Sequence, residues 1–426
     1  MPQRAAVERL LGQIDHDRQE IIAFEQELIR RPSETGNEKA CQEFLADWLR
    51  DAGYQVEVFT PDEVSAGKDF RGRPLVVDYS QRPNVVAVHK GAGGGRSLLV
   101  MSHADTVPVG PLELWTVPPT GGEVRDGKIY GRGAQDDKEG IVAQTFALEC
   151  IRRAGLQLKG DVTLCSVVDE EGGGSMGSWA CMARGYRADA GIYCDGLDRK
   201  VHPANLGWSG ARIHLKGPAG QMNIGDVKRG ADAIYADLIA FRDERRVAFE
   251  NHPLYRQTDW PANNIIVAYF NVGHPASVAM NQATIAANLY TLPGNTIQAD
   301  RLALEARVRR TWQALNPAAT APEIQWNATW VDPYEIGVDE LIIATLRQAS
   351  AAATGVAMPV EGMPASDLHI LGLYSDGMPS VCTGPGAFGV PESAHQPNES
   401  ISIDGMLIPF VKSIALTILA WCGETA

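Results

Sequence analysis

The sequence predicts a two-domain α/β protein, in which one domain is interrupted by a smaller α+β segment. Three observations predict it. The chain has 426 residues, more than one small core accommodates. Helical spacing alternates with short apolar or β-branched runs at both ends of the chain. From about 207 to 331 a separate alternation runs its course without the clustered acidic motifs seen elsewhere. The expected division is therefore 1–206 with 332–426, and 207–331 inserted.

The first helical pattern carries Ile21, Ile22, Phe24, Leu28 and Ile29 and stops at Pro32; the second carries Cys41, Phe44, Leu45, Trp48 and Leu49 and ends at Gly53. Strands are expected at 56–59 and 84–89, and the glycines at 91–95 read as a hairpin connection to a strand at 97–101. That strand delivers His103 and Asp105 just past its end. A helix at 141–153 follows the YGRGAQDDKEG loop. Strands at 162–168 and 190–194 then run into Asp169, Glu170 and Glu171, and into Asp195. Three strands thus emit histidine or acidic side chains at their carboxyl ends, where α/β proteins build their sites.

In the inserted segment, strands are expected at 211–216, 264–272, 283–292 and 323–330, with helices at 231–245 and 297–315. The first pattern then resumes. A helix at 341–353, a strand at 379–383, the loop carrying His395 and a closing helix at 406–421 complete it.

A formal net charge of −14 argues against nucleic acid or an anionic membrane as partner and leaves a small-molecule substrate. No signal-like apolar run opens the sequence, and no stretch reads as a spanning helix, so a soluble cytoplasmic protein is expected. The seven cysteines are odd in number and form no C-x-x-C pair, which fits reduced core residues.

Catalytic divalent metals favour histidine nitrogen and carboxylate oxygen, and two close ions need a shared anion to offset their repulsion. His103, Asp136, Glu171, Asp195 and His395 could serve. Singly, each is as well read as a surface histidine or a solvated turn. Their placement at strand ends and in glycine-rich loops favours the joint reading.

The ordered motifs SHADTVPVG, YGRGAQDDKEG, DEEGGGSMG, CDG and ESAHQPNES resemble the acetylornithine deacetylase, succinyl-diaminopimelate desuccinylase, aminoacylase and carboxypeptidase G family of metallohydrolases over nearly the whole chain. The resemblance implies a zinc-peptidase-like catalytic domain with a central mixed sheet flanked by helices, a lid that also forms a homodimer, and one or two divalent ions of zinc, manganese or cobalt. It implies that Asp136 bridges the ions and that the Asp136–Asp137 peptide is cis. His103 and Asp195 would complete one site, Glu171 and His395 the other. Asp105 fits a carboxylate that fixes the His103 tautomer. Glu170 fits the general base that takes a proton from the metal-bridging water and returns it to the departing nitrogen. Cleavage of a peptide or N-acyl bond is the implied reaction.

Two positions depart from the family pattern. Gln221 stands where relatives carry a lid histidine. It either donates an amide hydrogen bond or lies in a drifted loop with the donor supplied by His202, His252 or His274. Tyr290 stands where relatives carry an arginine suited to a substrate carboxylate, while Asn281 matches. Asp367 could orient substrate or cap a helix. These departures leave open the family's nitroanthranilate type of chemistry, in which an aromatic amine releases ammonia. A metal-loaded binding protein without turnover is the rival from another class, and the intact Glu170 beside Glu171 speaks against it.

Overall fold

A computed structural model of the chain describes residues 2–196, 198–217, 224–273, 282–316, 320–386 and 393–425, with side chains at 224–226 left aside. The chain divides into two compact units. One comprises Met1–Pro203, Ile336–Val360 and Asp367–Ala426; the other comprises Ala204–Glu335 and Glu361–Ser366.

The first unit is built on a seven-stranded mixed sheet. In spatial order its strands are Gln55–Phe59, Asn84–His89, Val162–Val167, Leu98–His103, Gly191–Tyr193, Ser380–Thr383 and Val201–His202. Neighbours from Val162–Val167 through Ser380–Thr383 are parallel, and the outer pairings are antiparallel. The parallel strands at the centre are apolar and buried on both faces, as the burial of every residue of Leu98–His103 and Val162–Val167 shows. Their carboxyl ends therefore open together at one edge, which is where His103, Asp169 to Glu171 and Asp195 emerge. The expectation of a sheet flanked by helices is met. Helix Lys138–Arg153 is buried along almost its whole length, and helices Leu341–Thr354 and Ile408–Cys422 join it in one core.

Several local expectations are corrected. The glycines at 91–95 do not close a hairpin, because strand Val162–Val167 lies between Asn84–His89 and Leu98–His103. They let three backbones meet: a Cβ on Gly95 would lie 2.0 Å from the Cys422 carbonyl oxygen and 2.4 Å from the Gly160 nitrogen. A helix at Arg4–His16, not read from the sequence, precedes the first expected one. The segment Ile403–Cys422 is also long and apolar enough to cross a membrane by length and composition, against expectation. Asp404, Pro409 and Lys412 interrupt the apolar run while its mean hydropathy stays high. Its apolar residues are committed to the core, with Phe410, Val411, Ile414, Leu416 and Ile418 buried.

The second unit is a four-stranded antiparallel sheet in the order Ile265–Val272, Gln282–Thr291, Gly207–Lys216 and Glu323–Trp326. Helices Ile224–Asn251 and Ile297–Leu315 accompany it, and Ile213, Ile285, Ile234, Leu238, Leu304 and Trp312 fill its core. The last strand ends at Trp326 rather than Trp330, and the first helix is longer than its periodicity indicates, 28 residues against an expected 231–245.

Candidate metal centre

His103 is the last residue of its strand and is fully buried. Its Nδ1 lies 2.9 Å from the main-chain oxygen of Asp105, which can only accept, so Nδ1 carries hydrogen. In the neutral ring, Nε2 would then turn a lone pair toward the carboxylate oxygens of Asp136 at 3.1 Å and Asp195 at 3.5 Å. On the far side of Asp136, His395 Nε2 lies 3.1 Å from its second oxygen and 3.0 Å from Glu171 Oε1. Asp136 thus sits between two imidazoles, one oxygen to each.

Two groups of three could each hold an ion: His103, Asp136 and Asp195, and Asp136, Glu171 and His395, with all ligand atoms of a group within 4.8 Å of one another. Electrostatics supports the fit. Burial pulls the His103 pKa down, but hydrogen bonds to Asp136 and Asp195 outweigh it and hold the imidazole well above its usual range. Hydrogen bonds to Asp136 and Glu171 push His395 up to about 10. Burial would raise Asp136, but the bonds from the two histidines outweigh it and hold the carboxyl well below normal. The carboxylates thus demand positive charge at the faces where divalent ions would supply it, and nitrogen and oxygen donors suit such ions.

The loop holding Asp136 turns through a cis Asp136–Asp137 peptide into helix Lys138–Arg153. Gly140 allows this turn to press on the neighbouring strand, since a Cβ there would lie 2.3 Å from the Cys194 oxygen, one residue before Asp195. Asp137 Oδ2 accepts the His103 backbone N–H at 2.9 Å.

Asp105 acts differently from the sequence reading. Its carbonyl, not its carboxylate, takes the short bond from His103, and the nearer carboxylate oxygen stands 3.7 Å away. That carboxylate instead accepts the backbone N–H groups of Glu170 and Glu171, each at 3.1 Å, and the Thr35 hydroxyl at 2.8 Å. Sequence spacing could not distinguish the two, because the 169–175 loop is remote in the chain. Burial, then the nearby charges of Asp195, Asp367 and Glu171, push the Glu170 carboxyl well above its ordinary value.

The same loop is anchored by a network that sequence reasoning missed. Tyr79 donates to Asp169 at 2.6 Å, and Arg82 bonds Asp169 at 3.1 Å and Glu38 at 2.6 Å, all buried. Arg82 lies in an irregular loop, where no periodicity marks it.

The substrate candidates are less concentrated. Asp367 is buried and accepts the Ser178 hydroxyl at 2.5 Å, and burial raises its carboxyl to about 7. Tyr290, in the second unit, packs its ring on Trp260 at 4.6 Å between centroids. Gln221, Asn281 and His274 lie outside the described residues. His202 and His252 are each bonded to a carboxylate, Asp198 at 2.8 Å and Glu335 at 3.1 Å.

A mixed sheet whose strand ends deliver His103 and Asp195, with loops that bring Asp136, Glu171 and His395 to the same cluster, is the framework of an α/β metalloenzyme. The model of peptidase family M20/M25/M40 matches residues 99–419. The chain belongs to that family. A relative along the full length is an N-formyl-4-amino-5-aminomethyl-2-methylpyrimidine deformylase of Halalkalibacterium halodurans, 25% identical over 98% of both chains. A succinyl-diaminopimelate desuccinylase of Cupriavidus necator is 31% identical over 57% of this chain and 63% of its own. Among solved structures, human carnosine dipeptidase 1 shares the fold with a TM-score of 0.73 and 16% identity, covering 99% of this chain and 100% of that one. A dinuclear metal-binding M20 peptidase of Bacillus subtilis has a TM-score of 0.60 at 16% identity, covering 96% and 99%. The protein is a hydrolase acting on carbon–nitrogen bonds, as the sequence motifs indicated.

Proposed function

We propose that the protein hydrolyses the amide of a small N-acyl amine, with Glu170 as general base and then general acid. The observation that carries this is the double grip of Asp105 on the N–H groups of Glu170 and Glu171. It fixes the backbone of two adjacent residues with different surroundings: the Glu171 carboxylate meets His395, and the Glu170 carboxyl lies among the charges of Asp195, His103 and Asp367, as a second group for proton transfer. His103, Asp136 and Asp195 would hold one ion, and Asp136, Glu171 and His395 the other, of zinc, manganese or cobalt. Such ions, when bound, polarise the amide carbonyl and make a water acidic enough to lose its proton at neutral pH. Glu170 takes that proton and hands it to the leaving nitrogen.

Tyr290 stands where the family pattern carries an arginine suited to a substrate carboxylate. A tyrosine cannot give the bidentate grip that arginine gives a carboxylate, and its ring is already packed against Trp260. The deformylase relative is named for a formamide on an aminomethylpyrimidine, a molecule without a carboxylate. Both point to an amide whose amine part carries no free acid. Protein loaded with manganese, zinc or cobalt is expected to cleave N-formyl and N-acetyl arylmethylamines at higher kcat/KM than N-acyl amino acids or dipeptides. Preference for the carboxylate-bearing substrates would overturn the reading, and ammonia released from an aromatic amine alone would replace it with deamination.

A homodimer through the second unit is part of the same proposal. Strand Ile265–Val272 is the outer strand of its sheet and exposes Ile266, Tyr269 and Phe270, with Tyr235 of helix Ile224–Asn251 edge-on to Phe270 at 5.5 Å. An exposed apolar edge is a template for pairing with a second strand. Phe270→Glu should shift the protein from dimer to monomer in light scattering. An unchanged dimer mass would place the interface elsewhere.

A further inference from the structure

The two groups of possible metal ligands are held in unlike ways. His103 ends a central strand that is paired on both sides as far as Met101 and on one side, with Val167, at His103 itself, and its side chain is fully buried. His395 sits in a loop with a left-handed backbone, φ 62°, and its side chain is 49% exposed. A non-glycine residue in that conformation is costly and needs its surroundings to hold it.

What holds it is a reciprocal pair of side chains, Gln135 and Glu399. Gln135 immediately precedes Asp136, the residue common to both groups. Its side-chain oxygen accepts the backbone N–H of Ser393 at 2.9 Å and the Ser393 hydroxyl at 2.8 Å. In return, Glu399 Oε1 accepts the backbone N–H of Gln135 at 2.9 Å. The other oxygen of Glu399 takes Arg132 Nη1 at 2.5 Å, and the Glu399 carbonyl accepts from the Gly131 backbone at 2.9 Å. Ser393 and Glu399 bracket His395 in sequence, so the bonds close on both sides of it. They continue a backbone ladder, because strand Ser400–Ser402 pairs with Lys128–Tyr130 and stops just short of this loop. Gln135 and Glu399 are both buried, so these bonds form away from competing water.

We infer that the Gln135 side chain, which bonds the loop carrying His395 at Ser393, is a positioning group that sets the metal affinity of the Asp136, Glu171 and His395 group while leaving that of the His103, Asp136 and Asp195 group unchanged; Glu399 holds the backbone beside Asp136, the ligand common to both. The inference rests on the two-ion reading above. Its physical basis is that a ligand-bearing loop delivers its imidazole only while it is pinned, whereas a ligand on a central strand is delivered by the sheet. Partners of this kind shift metal affinity by about 10- to 100-fold.

The test is zinc binding to the metal-stripped full-length protein, followed in competition with a chromophoric chelator and resolved into two classes of site. His395→Ala identifies which class belongs to the loop. Gln135→Met removes the acceptor at similar size; it is expected to weaken that class by about 10- to 100-fold and to leave the other within about twofold. Gln135→Glu, which restores an acceptor oxygen, is expected to recover it. If Gln135→Met does not fold, Gln135→Asn, which draws the acceptor oxygen back by one methylene and leaves the Ser393 hydroxyl and its bonds to Ser400 in place, must weaken the same class alone. Weakening of both classes together, of the other class alone, or of neither overturns the inference. A wild-type protein that takes up one zinc, unaffected by His395→Ala, overturns the two-ion reading itself.

Discussion

Glu170→Gln is expected to lower kcat by about 10²- to 10⁴-fold, the range that a positioned acid–base group contributes, while the protein keeps all the metal it binds. The substitution conserves size and leaves the backbone N–H that Asp105 grips. What it removes is the ability to accept a proton and release it. Because the loss falls on the reacting proton rather than on substrate binding, KM should move little compared with kcat. Steady-state kinetics and elemental analysis of the same preparation check both halves. Retained kcat would take the base role from Glu170 and turn attention to Asp367, whose carboxyl burial also holds near neutrality. Lost metal with lost kcat would make Glu170 a ligand.

Asp136→Asn should have the largest effect on metal content of any single change. Its two oxygens meet different histidines, and it is the one residue common to both possible ligand groups among the described residues. Removing its charge takes an anion from both at once and leaves two cations without the group that offsets their repulsion. Loss of both ions on dialysis is expected, together with loss of activity that added metal restores only in part. His395→Ala, which touches one group, should cost one ion. Equal stoichiometry in the two variants, or two ions retained by Asp136→Asn, would show that the carboxylate is not shared.

The fold class and the family were readable because their signals are local. A strand is recognised by its own run of residues, and motifs such as YGRGAQDDKEG keep their chemistry within a few positions. The corrections are of two kinds: element bounds, as at Arg4–His16, Ile224–Asn251 and Glu323–Trp326, and contacts between segments far apart in sequence. The glycines at 91–95 carry the composition of a hairpin turn, but Val162–Val167 takes the place between the flanking strands. The closing segment Ile403–Cys422 has the composition of a spanning helix, and the helices packed around it make it a core element.

The candidate site divides along the same line. Residue type and strand-end position were enough to nominate His103, Asp136, Glu171, Asp195 and His395, since ligand chemistry restricts the choice to a few side chains. Their meeting within one cluster required the crossovers of the parallel sheet to bring three strand ends and two loops to one edge. The supporting residues were beyond local reading altogether. Asp105 bonds a loop some 65 positions away, Gln135 one some 258 away, and Arg82 one some 87 away. A hydrogen bond needs direction and a distance near 3 Å, and neither is encoded in the spacing of residues along a chain; it exists once the backbone has closed.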